Sequence, residues 1–169
     1  MRKPTLLSLF LIVFIDLIGF GLMMPLLPYF GRDFGATGAM IGWLIGVFSF
    51  MQFFCAPIWG RLSDRVGRRP ILLVSLAGSA VSYVLLGLAH SYPLLLAARV
   101  LAGICAANIA VANAYVADIT TKENRSKGMG MIGAAFGIGF VFGPVLAALF
   151  GRHGHALPSF IAAGISAFS

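Results

Sequence analysis

An all-α membrane bundle is the fold class this sequence predicts, and three observations predict it. Hydrophobic residues make up 60% of the 169 and charged residues 10%, with a mean hydropathy of +0.98, whereas soluble domains are roughly half apolar and a quarter charged. The apolar residues fall in runs of about twenty, the length that crosses a bilayer core of about 30 Å at 1.5 Å per residue. The basic residues collect in short links between the runs, so the net charge of +7 is not the footprint of a nucleic-acid partner. No stretch alternates polar and apolar over about ten residues, as strands of an outer-membrane barrel would.

After Met1-Arg2-Lys3, the first run covers 5–27. It is too long for a signal peptide, and Pro25 and Pro28 bracket its end where a small-residue cleavage site would be wanted. The next crossings are 41–59, 71–89, 94–117 and 128–150, each bounded by glycine, proline or charge. A sixth apolar run opens at 157 and reaches Ser169 before it is long enough to cross. The expectation is five complete helices and the start of a sixth.

Sorting the bases by link orients the bundle. With the N-terminus in the cytoplasm, Arg2, Lys3, Arg61, Arg65, Arg68, Arg69, Lys122, Arg125 and Lys127 face inward, Arg32 and Arg152 face outward, and Arg99 is left inside a helix. A multi-pass protein of the inner (cytoplasmic) membrane follows, with the lipid bilayer as its first partner. Gly42 and Gly46, Gly133 and Gly137, and Gly139 and Gly143 are each four residues apart, a spacing that lets neighbouring helices approach closely. Cys55 and Cys105 sit in apolar runs with no metal-ligand spacing and read as packing residues.

The link at 60–70 is a polar island. Gly60-Arg61-Leu62-Ser63-Asp64-Arg65-Val66-Gly67-Arg68-Arg69 holds one acid and four bases between two uncharged runs, so it must lie in water. Gly60 and Gly67 suit a tight turn, through positive φ or close backbone approach.

Charges inside the spans are expensive and therefore informative. Asp16 lies near the middle of the first span. Burial favours the neutral form of an acid, so this carboxyl could exchange a proton near neutral pH, or it could serve only to lock helices together. Arg99 lies about 8 Å inside the outer end of the fourth helix. Either it snorkels outward or it meets water, an acid or backbone carbonyls. Arg99, Gly103, Ala106, Ala110, Asn113 and Ala117 fall along one stripe at 100° per residue, which suits a helix contact or a cavity wall equally. Gln52 is a cavity residue or an interhelical hydrogen-bonder. Asp118 closes the fourth helix at the level of Arg65, Arg68 and Arg69.

These motifs resemble those of a known family. The link from Gly60 to Arg69 is similar, position by position, to the loop between the second and third helices of the major facilitator superfamily, G-x-L-a-D-R-x-G-R-R. Asp16 to Pro28 resembles the first-helix motif of the drug:proton antiporters, Arg99-Val100-Leu101-Ala102-Gly103 their fourth-helix motif, and Gly133 to Pro144 their fifth-helix motif. The stretches Met51 to Pro57, Leu62 to Pro70 and Tyr115 to Thr120 look most like tetracycline-resistance efflux pumps. Ser82 stands where those pumps commonly carry an acid, Asn108 and Asn113 where glycines are usual, and Ala147-Ala148 where a glycine pair is usual. These departures leave the substrate unassigned.

The resemblance implies roles. Asp64 would hold a cytoplasmic gate against the other half of the transporter by facing a helix N-terminus, and Arg68, with Arg65 and Arg69 near it, would pair with Asp118. Asp16 and Arg99 would couple protons, and Gln52 and Asn113 would line the cavity for a drug-like small molecule. Pro25, Gly139, Gly143 and Pro144 would bend helices, the last three against the other half. The energy source would be a proton gradient, with no cofactor. The chain then reads as a partial N-terminal half whose partner is the missing C-terminal half.

Other readings are weaker. A truncated half could act as a non-transporting membrane assembly protein. Gly128 to Gly133 spells a dinucleotide fingerprint with no strand before it, and Asp33-Phe34-Gly35 copies a kinase triplet with no other kinase part, so no enzyme is expected. His153 and His155 are too few for a metal site, and Asn124-Arg125-Ser126 is a glycosylation sequon on the wrong side of the membrane.

Overall fold

The computed structural model describes residues 6–106, 108–150 and 156–167, so Met1 to Lys3, His153 and His155 lie outside the described residues. Its helices are α1 (Leu6–Asp33), α2 (Gly38–Val66), α3 (Arg68–Gly87), α4 (Tyr92–Cys105), α5 (Asn108–Ile119), α6 (Arg125–Phe150) and α7 (Ala156–Ala167). Among the described residues, four runs are long and apolar enough to cross a membrane: Gly38–Val66, Arg68–Gly87, Tyr92–Ile119, which takes in α4 and α5, and Arg125–Leu149. They overlie the runs at 41–59, 71–89, 94–117 and 128–150.

The boundaries differ from those read in the sequence for local physical reasons. α1 does not stop at its prolines: Pro25 and Pro28 lie inside it, as helices in lipid tolerate where neighbours re-satisfy the freed backbone. It ends at Asp33, and Gly35 beyond it, with a φ of 72°, supports a paired cap. Gly35 N donates to Arg32 O at 2.9 Å and Ala36 N to Gly31 O at 2.9 Å, the 5→2 and 6→1 bonds of a Schellman motif. The triplet Asp33-Phe34-Gly35 is thus a helix stop. Thr37 then caps α2, its Oγ1 accepting from Met40 N at 3.4 Å.

The link at 60–70 is corrected most. α2 runs through it to Val66, α3 begins at Arg68, and Gly67 alone separates them. Gly67 has φ 105° and donates to Ser63 O at 3.0 Å, the backbone freedom its sequence position called for. Gly60 is helical, with open space where a Cβ would point, so it supplies neither a positive φ nor a close approach.

The core forms where helices bring small residues together. α1 packs most extensively on α6. There a Cβ on Gly139 would lie 2.9 Å from Leu17 Cβ, and one on Gly143 would run into the backbone of Gly21. Gly139 and Gly143, expected to bend this helix against another half, thus pack against α1 of the same bundle. Gly42, Gly46, Gly133 and Gly137 have nothing within 4 Å of a built Cβ, so those pairs make no close contact in this chain. α7 lies along α3, where Ser166 Oγ donates to Leu76 O at 3.3 Å. α2 leaves Trp43, Phe50, Phe53, Phe54 and Ile58 exposed, an apolar face suited to lipid or further helices.

Candidate functional site

Two sites emerge, one within the bundle and one at the end where α2 meets α3. The first begins with α4 pressing against α2. Gly103 permits it, since a Cβ there would lie 2.8 Å from Met51 Cβ and 3.0 Å from Phe48 Cα. One turn earlier, this contact seals Arg99 inside at 1% exposure. Its Nε donates to Leu44 O at 3.2 Å, and its guanidinium carbon sits 4.4 Å from the centre of the Phe48 ring, a cation–π contact. Arg99 therefore does not snorkel. Its Nη2 is buried without a hydrogen-bond partner, which leaves part of a desolvated charge uncompensated.

Beside it lies a cavity of about 230 Å³ that Asp16, Gln52, Ser79, Ser82 and Tyr83 line together with Phe20, Phe48, Phe136 and Phe140. Asp16 is buried at 7% exposure. The hydroxyl of Tyr83 fills the notch left by Gly19, 3.0 Å from where a Cβ would be, and both Asp16 and Arg99 lie within electrostatic reach of it. Ser82, standing in place of an acid, donates to Ser79 O at 2.7 Å. A buried acid and a buried cation within reach of one phenol, at the edge of an aromatic-walled hollow, can hold and release a proton next to an apolar guest.

Gln52 is both things the sequence allowed. It lines the cavity, and its Nε2 donates to Ala106 O at 3.1 Å. Asn113 does not reach this cavity; it lines a second hollow with Phe53 and Phe54.

The second site is a knot around Arg68. Its Nη2 lies 2.6 Å from Asp64 Oδ1, its Nε donates to Asp118 Oδ2 at 3.0 Å, and its Nη1 donates to Ser63 Oγ at 2.5 Å. Ser63 donates onward to Gly60 O at 2.7 Å. Gly60 thus contributes a carbonyl. Asp64 and Asp118 are more than half exposed while Arg68 is 19% exposed, so each pair is worth little alone and the geometry depends on the shared arginine. Arg65 and Arg69 are exposed and form no ion pair among the described residues. Arg125 ties the same end together by donating to Ala117 O at 3.2 Å.

Ser63, Tyr83 and Trp59, whose Nε1 donates to Ile104 O at 2.6 Å, were not singled out from the sequence. Ser63 lay inside the charged motif, five residues before Arg68 and able to accept from it. Tyr83 had only the polar neighbours Ser79 and Ser82 to mark it.

Comparison with known proteins agrees with this geometry. The sequence matches the Major Facilitator Superfamily over residues 9–169. It is 43% identical over 156 residues to the class C tetracycline resistance protein of Escherichia coli, covering 90% of this chain and 39% of the relative. It is 39% identical over 168 residues to major facilitator superfamily domain-containing protein 10 of Bos taurus, covering 82% and 37%. The crystal structure of the human organic anion transporter MFSD10 (TETRAN) superposes with a TM-score of 0.82 at 32% identity, over 99% of this chain and 47% of that one. The chain thus spans about two fifths of the length of the curated relatives it matches. A helical bundle with this charged motif, this cavity and these relatives belongs to the major facilitator superfamily.

Proposed function

We propose that this chain is the N-terminal part of a proton-coupled exporter of a drug-like small molecule, resembling the tetracycline pumps. Five complete crossings and the start of a sixth seat it in the inner membrane with its N-terminus in the cytoplasm, as the inward bias of its bases supports. It works with a second set of helices that closes the cavity from the other side, and the apolar, glycine-bearing faces of α2 and α6 support that arrangement. Its role is transport driven by the proton gradient, not catalysis.

The observation that carries this reading is Asp16, a carboxyl buried in the same aromatic-walled cavity as Gln52 and Tyr83. Proton and guest compete for, or cooperate in, one space, which is what coupling requires. The Arg68 knot joins the ends of α2, α3 and α5, and its making and breaking gives the two states that alternating access needs. Arg99 supports Asp16 from α4, and Asn113 lines the approach.

The test is flux in proteoliposomes containing the intact transporter. An imposed pH gradient should drive efflux of a tetracycline-like fluorophore, and Asp16→Asn should abolish the gradient-driven part. Gradient-driven flux that survives Asp16→Asn removes Asp16 from the mechanism.

A further inference from the structure

Two hollows share a wall where α2 meets the α4–α5 run, and one hydrogen bond crosses that wall. The inner hollow, about 230 Å³, holds Asp16, Ser82 and Tyr83. The outer, about 750 Å³, is lined by Asn113 and by Phe53 and Phe54, which are 75% and 53% exposed. Gln52, Ala106 and Ile109 line both, so these three residues form the dividing wall. Across it Gln52 Nε2 donates to Ala106 O at 3.1 Å.

The carbonyls just before Ala106 are gripped as well. Trp59 Nε1 donates to Ile104 O at 2.6 Å, and Ser75 Oγ donates to Cys105 O. Side chains of α2 and α3 thus hold three consecutive carbonyls where α4 ends. Of the three donors, only Gln52 lines either hollow. Trp59 and Ser75 fix the end of α4, and Gln52 is the donor that a guest can reach.

We infer that the Gln52–Ala106 hydrogen bond is a partition that an acceptor-bearing guest opens. A molecule in the outer hollow with a carbonyl or phenolate oxygen on a flat aromatic body, flanked by Phe53 and Phe54, takes the Nε2 donor from Ala106. The amide keeps a partner throughout, so the exchange costs only the donor that the Ala106 carbonyl gives up, whereas a guest without an acceptor would leave the amide unpaired as well. Once the bond to Ala106 is released, the guest side communicates with Asp16. The inference rests on the transport reading only for the nature of the guest; the wall itself belongs to the fold.

The experiment is the labelling rate of Asp16 by an apolar carbodiimide, which reacts with a neutral carboxyl, in the intact purified protein, with Asp16→Asn as background. Gln52→Met keeps the length and loses the donor, and it should raise the rate about threefold, the population change that one interhelical hydrogen bond is worth in a membrane protein. Gln52→Asn, whose amide is withdrawn by one methylene, should do the same, so a folding defect in one variant leaves the other as the test. Tetracycline, the acceptor-bearing aromatic probe, should accelerate labelling of the wild type and leave both variants unchanged. Trp59→Phe, which removes the donor to Ile104 O and leaves the Gln52–Ala106 bond in place, should label at the wild-type rate. The inference is overturned by unchanged rates in both Gln52 variants, by an equal rise in Trp59→Phe, or by a wild-type rate indifferent to tetracycline. Because the readout is chemical labelling and not flux, loss of the coupling reading through Asp16→Asn transport data would leave this result standing.

Discussion

Gly143 lies so close to the backbone of Gly21 that a methyl group added to it would meet Gly21 Cα at 2.5 Å. The contact is backbone against backbone, so no side chain can move aside to relieve it. Gly143→Ala should therefore push α6 away from α1 and lower stability by about 1–3 kcal/mol, the range for overpacking a tight site. Gly137→Ala on the same helix meets nothing within 4 Å and should leave stability unchanged or raise it by up to about 1 kcal/mol, the helix-interior preference for alanine over glycine. Thermal unfolding of the two variants in detergent checks the pair; equal melting shifts would place the α1–α6 contact elsewhere.

Arg99 is held by a carbonyl and an aromatic face, both of which suit a planar guanidinium. Arg99→Lys keeps the charge and loses the fork, so it should destabilise by about 1–3 kcal/mol, the cost of a buried group left unsatisfied. Arg99→Met, which removes the charge as well, should unfold at a higher temperature than Arg99→Lys. Melting temperatures in the reverse order would mean that the charge, not its geometry, holds α4 to α2.

The Arg68 knot is shared, so its two acids should not be independent. Asp64→Asn and Asp118→Asn should each weaken it by about 0.2–1 kcal/mol, the range for exposed pairs, and the double variant should cost more than the sum. Pulsed electron–electron resonance between spin labels on α3 and α5 of the intact transporter would read the populations. Salt at about 1 M, where the screening length is about 3 Å, should shift the wild type toward the distance distribution of the double variant. Distance distributions insensitive to both charge and salt would show that the knot does not bias the conformation.

Between α5 and α6, hydrogen bonds from its own backbone and from the Thr121 side chain hold the Glu123 carboxyl below the usual carboxylate range. A depressed value means the interaction is fully present above the ordinary carboxylate value and fades as pH falls through the lowered one. Thr121→Val should move the Glu123 titration upward in carbon-detected NMR. No movement would assign the effect to the backbone alone.

Hydrophobic runs, glycine and charge placement made the membrane bundle and its charged motif legible in the sequence, because crossing a bilayer constrains length and composition directly. The residues themselves placed Asp118 at the level of Arg65, Arg68 and Arg69, and it was the family resemblance that singled out Arg68 as its partner. What the sequence hid were choices among equivalent options. Gly67 ends a helix and Gly60 does not, although both sit in the same motif. Gly139 and Gly143 press against α1 while Gly133 and Gly137, on the same helix, face open space. Arg99 turns inward to Leu44 and Phe48 instead of outward. Composition and spacing by themselves determined that this chain lives in lipid and carries an acid and a cation within its spans. Only tertiary packing decided which face of each helix meets another, because a helix presents every side chain somewhere, and the neighbour that fits closest selects which of them become the wall of a cavity.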